Sequence, residues 1–323
     1  MNAPDTLYLH IGLPKTATTY LQREVFPTLT QIRYLDTLEG NLFTAEEDQE
    51  HSQGTLTSCF RRSAEVWDLY GEDVFQNLFG CERADRPPGD VLLSDEGVGR
   101  TGSRPALLAA HLRALAGPAR AWGFGRIRVL CVVRRQDHWL ASHYAQISDR
   151  NPRASQDDFE ANVRRTLDPA GGRYGFGMLL DYATLADHLR GAVGPENLRV
   201  LPYELLARSP DQFHAHVAAF LGAPAPAGGG GQRQNVRSKE EGVWALRPAR
   251  RSRTVQLRPG RLFSALRLPD EVRLTRRVRA ETVRLTESVS ALVLREYEAS
   301  NGALAGAIAT ETGVDLAAYG YFP

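Results

Sequence analysis

Lysine is almost absent from this chain: of its 39 lysine and arginine residues, Lys15 and Lys239 alone are lysines. Lys15 lies in Leu9-His10-Ile11-Gly12-Leu13-Pro14-Lys15-Thr16-Ala17-Thr18-Thr19-Tyr20-Leu21-Gln22. The order is an apolar strand, a tight turn, a cation, a hydroxyl cluster and the start of an amphipathic helix. Such a turn aims backbone N–H groups and a helix N-terminus, with its roughly half unit of positive charge, at one spot, which makes an anion site. Lysine adds a compact charge that can follow one oxygen, which the planar arginine fork does less well. The spacing is not that of a Walker A loop, Gly-x-x-x-x-Gly-Lys-Ser/Thr. Counting from Gly12 places Ala17 at the second glycine and Thr18 at the lysine.

A second group of residues follows the apolar run from Arg128 to Val133. Arg134-Arg135-Gln136-Asp137 is a turn, and His138-Trp139-Leu140-Ala141-Ser142-His143-Tyr144 opens a helix. Arg134 stands at the strand end and Ser142 on the next helix. A guanidinium can bind a phosphate bidentately and a hydroxyl can add one more bond, but in an arginine-rich chain an Arg and a Ser eight apart mean nothing alone. Arg135 reads as a solvated surface residue. A third strand end, after Val91-Leu92-Leu93-Ser94, carries Asp95-Glu96. A carboxylate there suits a general base; the same pair also reads as a Walker B element, which would make the chain a P-loop kinase or ATPase. His10 reads as a packed or hydrogen-bonded histidine, and His138 and His143 as surface or capping residues.

The order Pro14-Lys15-Thr16-Ala17-Thr18-Thr19, with Arg134 and Ser142, resembles the donor-binding motifs of sulfotransferases that use 3′-phosphoadenosine 5′-phosphosulfate (PAPS), in particular bacterial, carbohydrate-type members. The family usually has glycine at the place of Ala17, and alanine is a mild departure there if its φ is negative. The resemblance implies that Lys15 binds the oxygen bridging phosphate and sulfate. Thr18 and Thr19, with the N–H groups of Thr16, Ala17 and Tyr20, would hold the 5′-phosphate, and Arg134 and Ser142 the 3′-phosphate. Gln232-Arg233-Gln234-Asn235-Val236-Arg237-Ser238-Lys239 corresponds to a late basic loop that closes over the 3′-phosphate and adenine; a basic linker is the other reading of it. Leu201-Pro202-Tyr203-Glu204-Leu205 resembles the family's Tyr-Glu-Asp-Leu segment, which makes Tyr203 a candidate for the adenine pocket. Related bacterial sequences carry Ser-x-Glu after this strand, and many carbohydrate sulfotransferases use a glutamate base. The resemblance therefore implies Glu96 as the base, with Asp95 the reserve, and favours a glycan or glycolipid acceptor over a phenol or steroid. No metal is expected.

These residues need elements to position them. Residues 7–11, 91–94, 126–133 and 198–201 read as strands; 16–26, 105–115, 138 onward, 182–190 and 210–221 read as helices. Alternating strands and helices predict an α/β fold, a three-layer parallel sheet flanked by helices. In such sheets ligands sit at the carboxyl ends of strands, where Lys15, Glu96 and Arg134 all fall. The resemblance makes this the P-loop nucleotide-hydrolase-like sulfotransferase fold. The 323 residues are expected to form one domain, with a core over 1–230 and a basic loop and helical extension over 231–323. Residues 35–88 and 151–178 carry little pattern.

Net charge is +1, yet residues 233–279 hold 14 basic and 4 acidic side chains, leaving the remainder of the chain about −9. A basic block suits an anionic partner. An anionic nucleotide, an acidic glycan or peripheral contact with an anionic membrane all fit, whereas no nucleic-acid-binding signature is present. Cys59, Cys81 and Cys131 show no metal spacing, and neither a signal-peptide pattern nor a membrane-length apolar run is visible. A cytoplasmic protein is expected.

Overall fold

Apolar runs without a polar face belong in the middle of a parallel sheet covered on both sides. The computed structural model, which describes residues 4–36, 54–168, 179–224, 242–247, 250–256, 271–277 and 281–323, has that arrangement. Strand β1 (Asp5–Gly12) leads into α1 (Thr18–Tyr20), which widens to a π-type turn over Leu21–Val25 and tightens over Phe26–Thr28. There follow β2 (Arg33–Asp36), α2 (Thr55–Phe60), α3 (Val66–Phe79), β3 (Val91–Ser94), α4 (Glu96–Arg100) and α5 (Pro105–Ala121). Next come β4 (Phe124–Val133), α6 (Gln136–Ile147), α7 (Gln156–Leu167), α8 (Tyr182–Val193), β5 (Leu198–Pro202), α9 (Tyr203–Arg208) and α10 (Pro210–Leu221). The chain ends with β6 (Val243–Ala245), β7 (Arg250–Gln256), β8 (Glu271–Arg277), β9 (Thr282–Arg284), α11 (Glu287–Glu296) and α12 (Glu298–Thr312).

The main sheet has five strands in the order β2-β3-β1-β4-β5, every pair parallel. The expected α/β architecture is therefore present. Strand β1 is central, with β3 on one side and β4 on the other, so its carboxyl end is where the strand order diverges and a crevice opens. His10 lies opposite Ser94 and Leu130, and Gly12 opposite Val132, which brings the ends of β1, β3 and β4 together. Trp244, Val283, Val293, Leu304 and Tyr321 bury into the same hydrophobic core as the sheet.

Three local expectations are corrected. The first helix starts at Thr18, not Thr16, because residues 15–17 are held in a loop. The extension over 231–323 is not helical throughout: β6, β7, β8 and β9 precede α11. The poorly patterned stretch before residue 88 contains an edge strand, β2, and two helices. Among the described residues no helix is long and apolar enough to cross a membrane.

Candidate active site

Lys15 and Ala17 both have left-handed backbones, φ 69° and 64°, whereas Thr16 between them does not. Alternating hand along successive residues curls the chain so that its N–H groups turn to one side, an anion-binding nest. The carbonyls of the same loop are tied elsewhere. Leu13 O accepts from Thr16 Oγ1 at 2.5 Å, Pro14 O from Trp139 Nε1 at 2.5 Å, and Lys15 O from Arg134 Nη1 at 3.0 Å. Three consecutive carbonyl oxygens that would repel an anion are thus each occupied by a side-chain donor. The expectation of a negative φ at Ala17 is overturned: alanine sits where glycine is at no disadvantage, and the departure from the family pattern carries a steric cost.

The hydroxyl of Thr18 lies over Gly12, whose missing side chain makes the room; a Cβ there would stand 2.0 Å from Thr18 Oγ1. Thr18 Oγ1 is buried and has no hydrogen-bond partner among the described residues, and the same holds for Arg134 Nε. The guanidinium of Arg134 stacks 4.7 Å from the centre of the Tyr203 ring. Ser142 is nearly buried on the second turn of α6. The side chain of Tyr20 turns away from the loop and stacks on His214, with Oη 3.1 Å from its Nε2. Thr19 is exposed at the start of α1. Arg233, Asn235, Arg237, Ser238 and Lys239 lie outside the described residues.

Helix α4 seats the carboxylates. It packs so closely on β1 that a Cβ on Gly99 would meet Gly12 O at 2.4 Å. Asp95 caps it: its carboxylate accepts from Gly97 N at 2.7 Å, Thr57 Oγ1 at 2.7 Å and Thr57 N at 3.0 Å. Burial pushes the Asp95 carboxyl up, against the pull of these bonds. Such a carboxylate is a helix cap, and a magnesium ligand or a mobile base would have to give up these donors. Glu96 is half-buried on the first turn, with Oε1 accepting from Arg100 Nη2 at 3.1 Å.

The histidines differ from the sequence reading in one case. His10 is wholly buried in β1 with Nδ1 2.7 Å from Ser94 Oγ, and burial holds its pKa down to about 3. His138 is half-buried with its ring edge toward Trp244. His143 is no surface residue: it stacks on Trp139 at 4.7 Å, and burial, together with Arg100, Lys15 and Arg150, lowers its pKa to about 4. Arg135 is not solvated either, donating from Nε and Nη2 to Asp137 at 2.8 and 2.7 Å. Trp139 and Arg100 also escaped sequence reading; only the position of Trp139, five residues past Arg134, hinted at its use.

No protein-family model matches the chain, and no curated protein does. Sulfotransferases are among the solved structures to which it is similar. One is a sulfotransferase from Alicyclobacillus acidocaldarius, at 16% identity over 70% of this chain and 83% of that one, with a TM-score of 0.44. Another is mouse sulfotransferase SULT7A1 complexed with PAP, at 15% identity over 69% and 60%, TM-score 0.38. A third is the sulfotransferase domain from the curacin biosynthetic pathway, at 15% over 70% and 77%, TM-score 0.37.

Proposed function

We propose that this protein is a sulfotransferase that moves a sulfuryl group from PAPS to an acceptor hydroxyl of a glycan or glycolipid. The observation that carries the reading is the joint between two distant motifs: Arg134 Nη1 closes onto Lys15 O while the loop's other carbonyls are also tied away. Residues 119 apart in sequence, at the ends of the neighbouring strands β1 and β4, thus form one cationic cradle. Thr18 Oγ1 and Arg134 Nε, buried and without a hydrogen-bond partner among the described residues, fit a ligand bearing two phosphates, since buried polar groups are normally hydrogen-bonded.

In this reading the donor supplies an activated sulfuryl group. Lys15 places its ammonium at the bridging oxygen and offsets the negative charge that grows there as the S–O bond breaks. Electrostatic stabilisation of this kind is typically worth ~3–4 kcal/mol. Thr18, Thr19 and the N–H groups of Thr16, Ala17 and Tyr20 hold the 5′-phosphate. Arg134 and Ser142 hold the 3′-phosphate, and Tyr203 contributes to the nucleoside pocket. The resemblance assigns Arg233, Asn235, Arg237, Ser238 and Lys239 to the same ligand, and these lie outside the described residues. Glu96 takes the acceptor's proton as its oxygen attacks sulfur. Arg100 orients that carboxylate. The kinase or ATPase reading loses support because Asp95, its metal ligand, is already held by three donors.

The basic block over residues 233–279, with 14 basic and 4 acidic side chains, supports an anionic acceptor or membrane surface. Calorimetry with adenosine 3′,5′-bisphosphate and ATP, followed by a mass-spectrometric screen for sulfated glycans, tests the reading. Tight binding of the bisphosphate and weak binding of ATP are expected; equal binding of both would remove the role of Arg134.

A further inference from the structure

Resting on the reading of Arg134 as a 3′-phosphate ligand, we propose that Tyr182, Glu204 and Tyr321 are positioning residues for it, through which the C-terminal segment sets the site's selectivity for that phosphate. The three converge on one peptide group. Tyr182 Oη donates to the carbonyl of Arg134 at 2.6 Å, and the N–H of Arg135 donates to Glu204 Oε1 at 3.1 Å. These are the two polar ends of the single peptide unit joining Arg134 to Arg135. A peptide unit is planar, so holding both ends removes its freedom to rotate and fixes the direction in which the Arg134 side chain leaves the turn.

Glu204 is itself held from the far end of the chain. Its Oε2 accepts from Tyr321 Oη at 2.8 Å, and both residues are buried. The carbonyl of Tyr321 accepts from Asn301 Nδ2 at 2.7 Å, and Asn301 exchanges two bonds with Gln136, at 2.6 and 3.2 Å, on the first turn of α6. Gly320 lets the tail pass where a Cβ would meet Arg135 Nη1 at 2.8 Å. Tyr203 and Glu204 are neighbours in sequence with divided duties: the first places its ring against the Arg134 guanidinium, and the second holds the peptide behind it. Three segments, at 182, 203–204 and 321, therefore act on one arginine. None of them would touch the 5′-phosphate loop directly; their link to it runs through Arg134.

That division gives the test. Adenosine 3′,5′-bisphosphate and adenosine 5′-monophosphate differ only in the 3′-phosphate, and their affinities can be measured by calorimetry on the full chain, wild type and the variants Tyr321→Phe and Tyr182→Phe. Each variant is expected to weaken the bisphosphate about tenfold, the scale of one lost buried hydrogen bond, while leaving the monophosphate within about twofold. Melting temperature, recorded alongside, separates selectivity from general loosening. Affinities for both ligands falling in step would show a merely structural role and overturn the proposal, as would no change in either. If Tyr321→Phe fails to fold, Tyr182→Phe decides, since it acts on the other end of the same peptide. A wild-type protein that does not distinguish the two ligands would remove the reading of Arg134 and this proposal with it. A wild type that distinguishes them, with variants that do so equally well, would remove this proposal alone.

Discussion

Lys15 and Ala17 share an unfavourable backbone conformation but not a purpose, and substitution separates them. A residue with a Cβ in the left-handed region costs roughly 1–2 kcal/mol. At Ala17 nothing but the backbone is used, so Ala17→Gly is expected to raise stability by about 0.5–1 kcal/mol, net of glycine's greater unfolded-state freedom, and to leave donor binding in place. Chemical denaturation measures it; a destabilised Ala17→Gly would show that the loop is not strained there. At Lys15 the side chain is the point. Lys15→Ala is expected to cut turnover by ~10²–10³-fold, and Lys15→Arg to recover little of it, because a planar fork does not replace a point charge on one oxygen. Near-normal turnover in Lys15→Arg would remove the lysine from the breaking bond. Strain held at a functional loop is a recurring feature of sites whose backbone must face a ligand.

At the scale of elements, the sheet and its carboxyl-end loops were readable because buried parallel strands have an unmistakable composition. Residues 7–11, 91–94 and 129–133 are almost wholly apolar, and each is followed by polar residues at a strand end. The edge strand β2 was not readable, since Arg33-Tyr34-Leu35-Asp36 lacks both an apolar run and a clean alternation. Nor could the sequence show that Asp95 is a cap: its donors come from Thr57, in a stretch with little pattern of its own. His143 and Arg135 differ from Asp95 in this respect: the partners that engage them, Trp139 and Asp137, are near in sequence, but sequence alone does not show that the ring stacks and the guanidinium folds back. The adjacent carboxylates of α4 now make opposite predictions. Glu96→Gln is expected to keep the melting temperature and to lower turnover by ~10²-fold or more, because only proton removal is lost. Asp95→Asn turns an amide N–H₂ toward backbone and hydroxyl donors and is expected to lower stability by about 1–3 kcal/mol. Turnover in Asp95→Asn should fall only as far as α4 is displaced. If Glu96→Gln stays fully active, the acceptor's proton goes elsewhere, and the carbohydrate preference drawn from a carboxylate base goes with it.

The whole molecule carries a pH dependence set by buried imidazoles. Burial holds His10 near a pKa of about 3, and His138 and His143 near about 4, against 6.5 for a free histidine. His111, His214 and His216 are lowered in the same direction by the same cause. The sign follows from proton counts. Below pH 6.5 the unfolded chain takes up protons that the folded chain refuses, so acid pulls the equilibrium toward unfolding. The stabilisation is complete above the free-histidine value and is lost as pH falls from there toward the folded values. Each histidine refused a proton contributes a slope of about 1.4 kcal/mol per pH unit within its window. Asp95, Glu204 and Glu311 act in the opposite sense, because burial raises their carboxyls and lets the folded state hold protons that the unfolded chain releases. The imidazoles begin to act at pH 6.5, above the ordinary carboxylate range, and His10, His138 and His143 keep refusing protons down to about 4 or below, so the net expectation over that interval is destabilisation by acid. Urea denaturation at successive pH values is therefore expected to show stability dropping steeply over that interval and flattening above pH 7. His10→Gln should flatten part of the drop without abolishing it, since an amide keeps a polar group toward Ser94 but takes up no proton. A stability profile level from pH 7 to 5 would mean that these rings are protonated in the folded protein, and that the core around β1 and α6 admits charge.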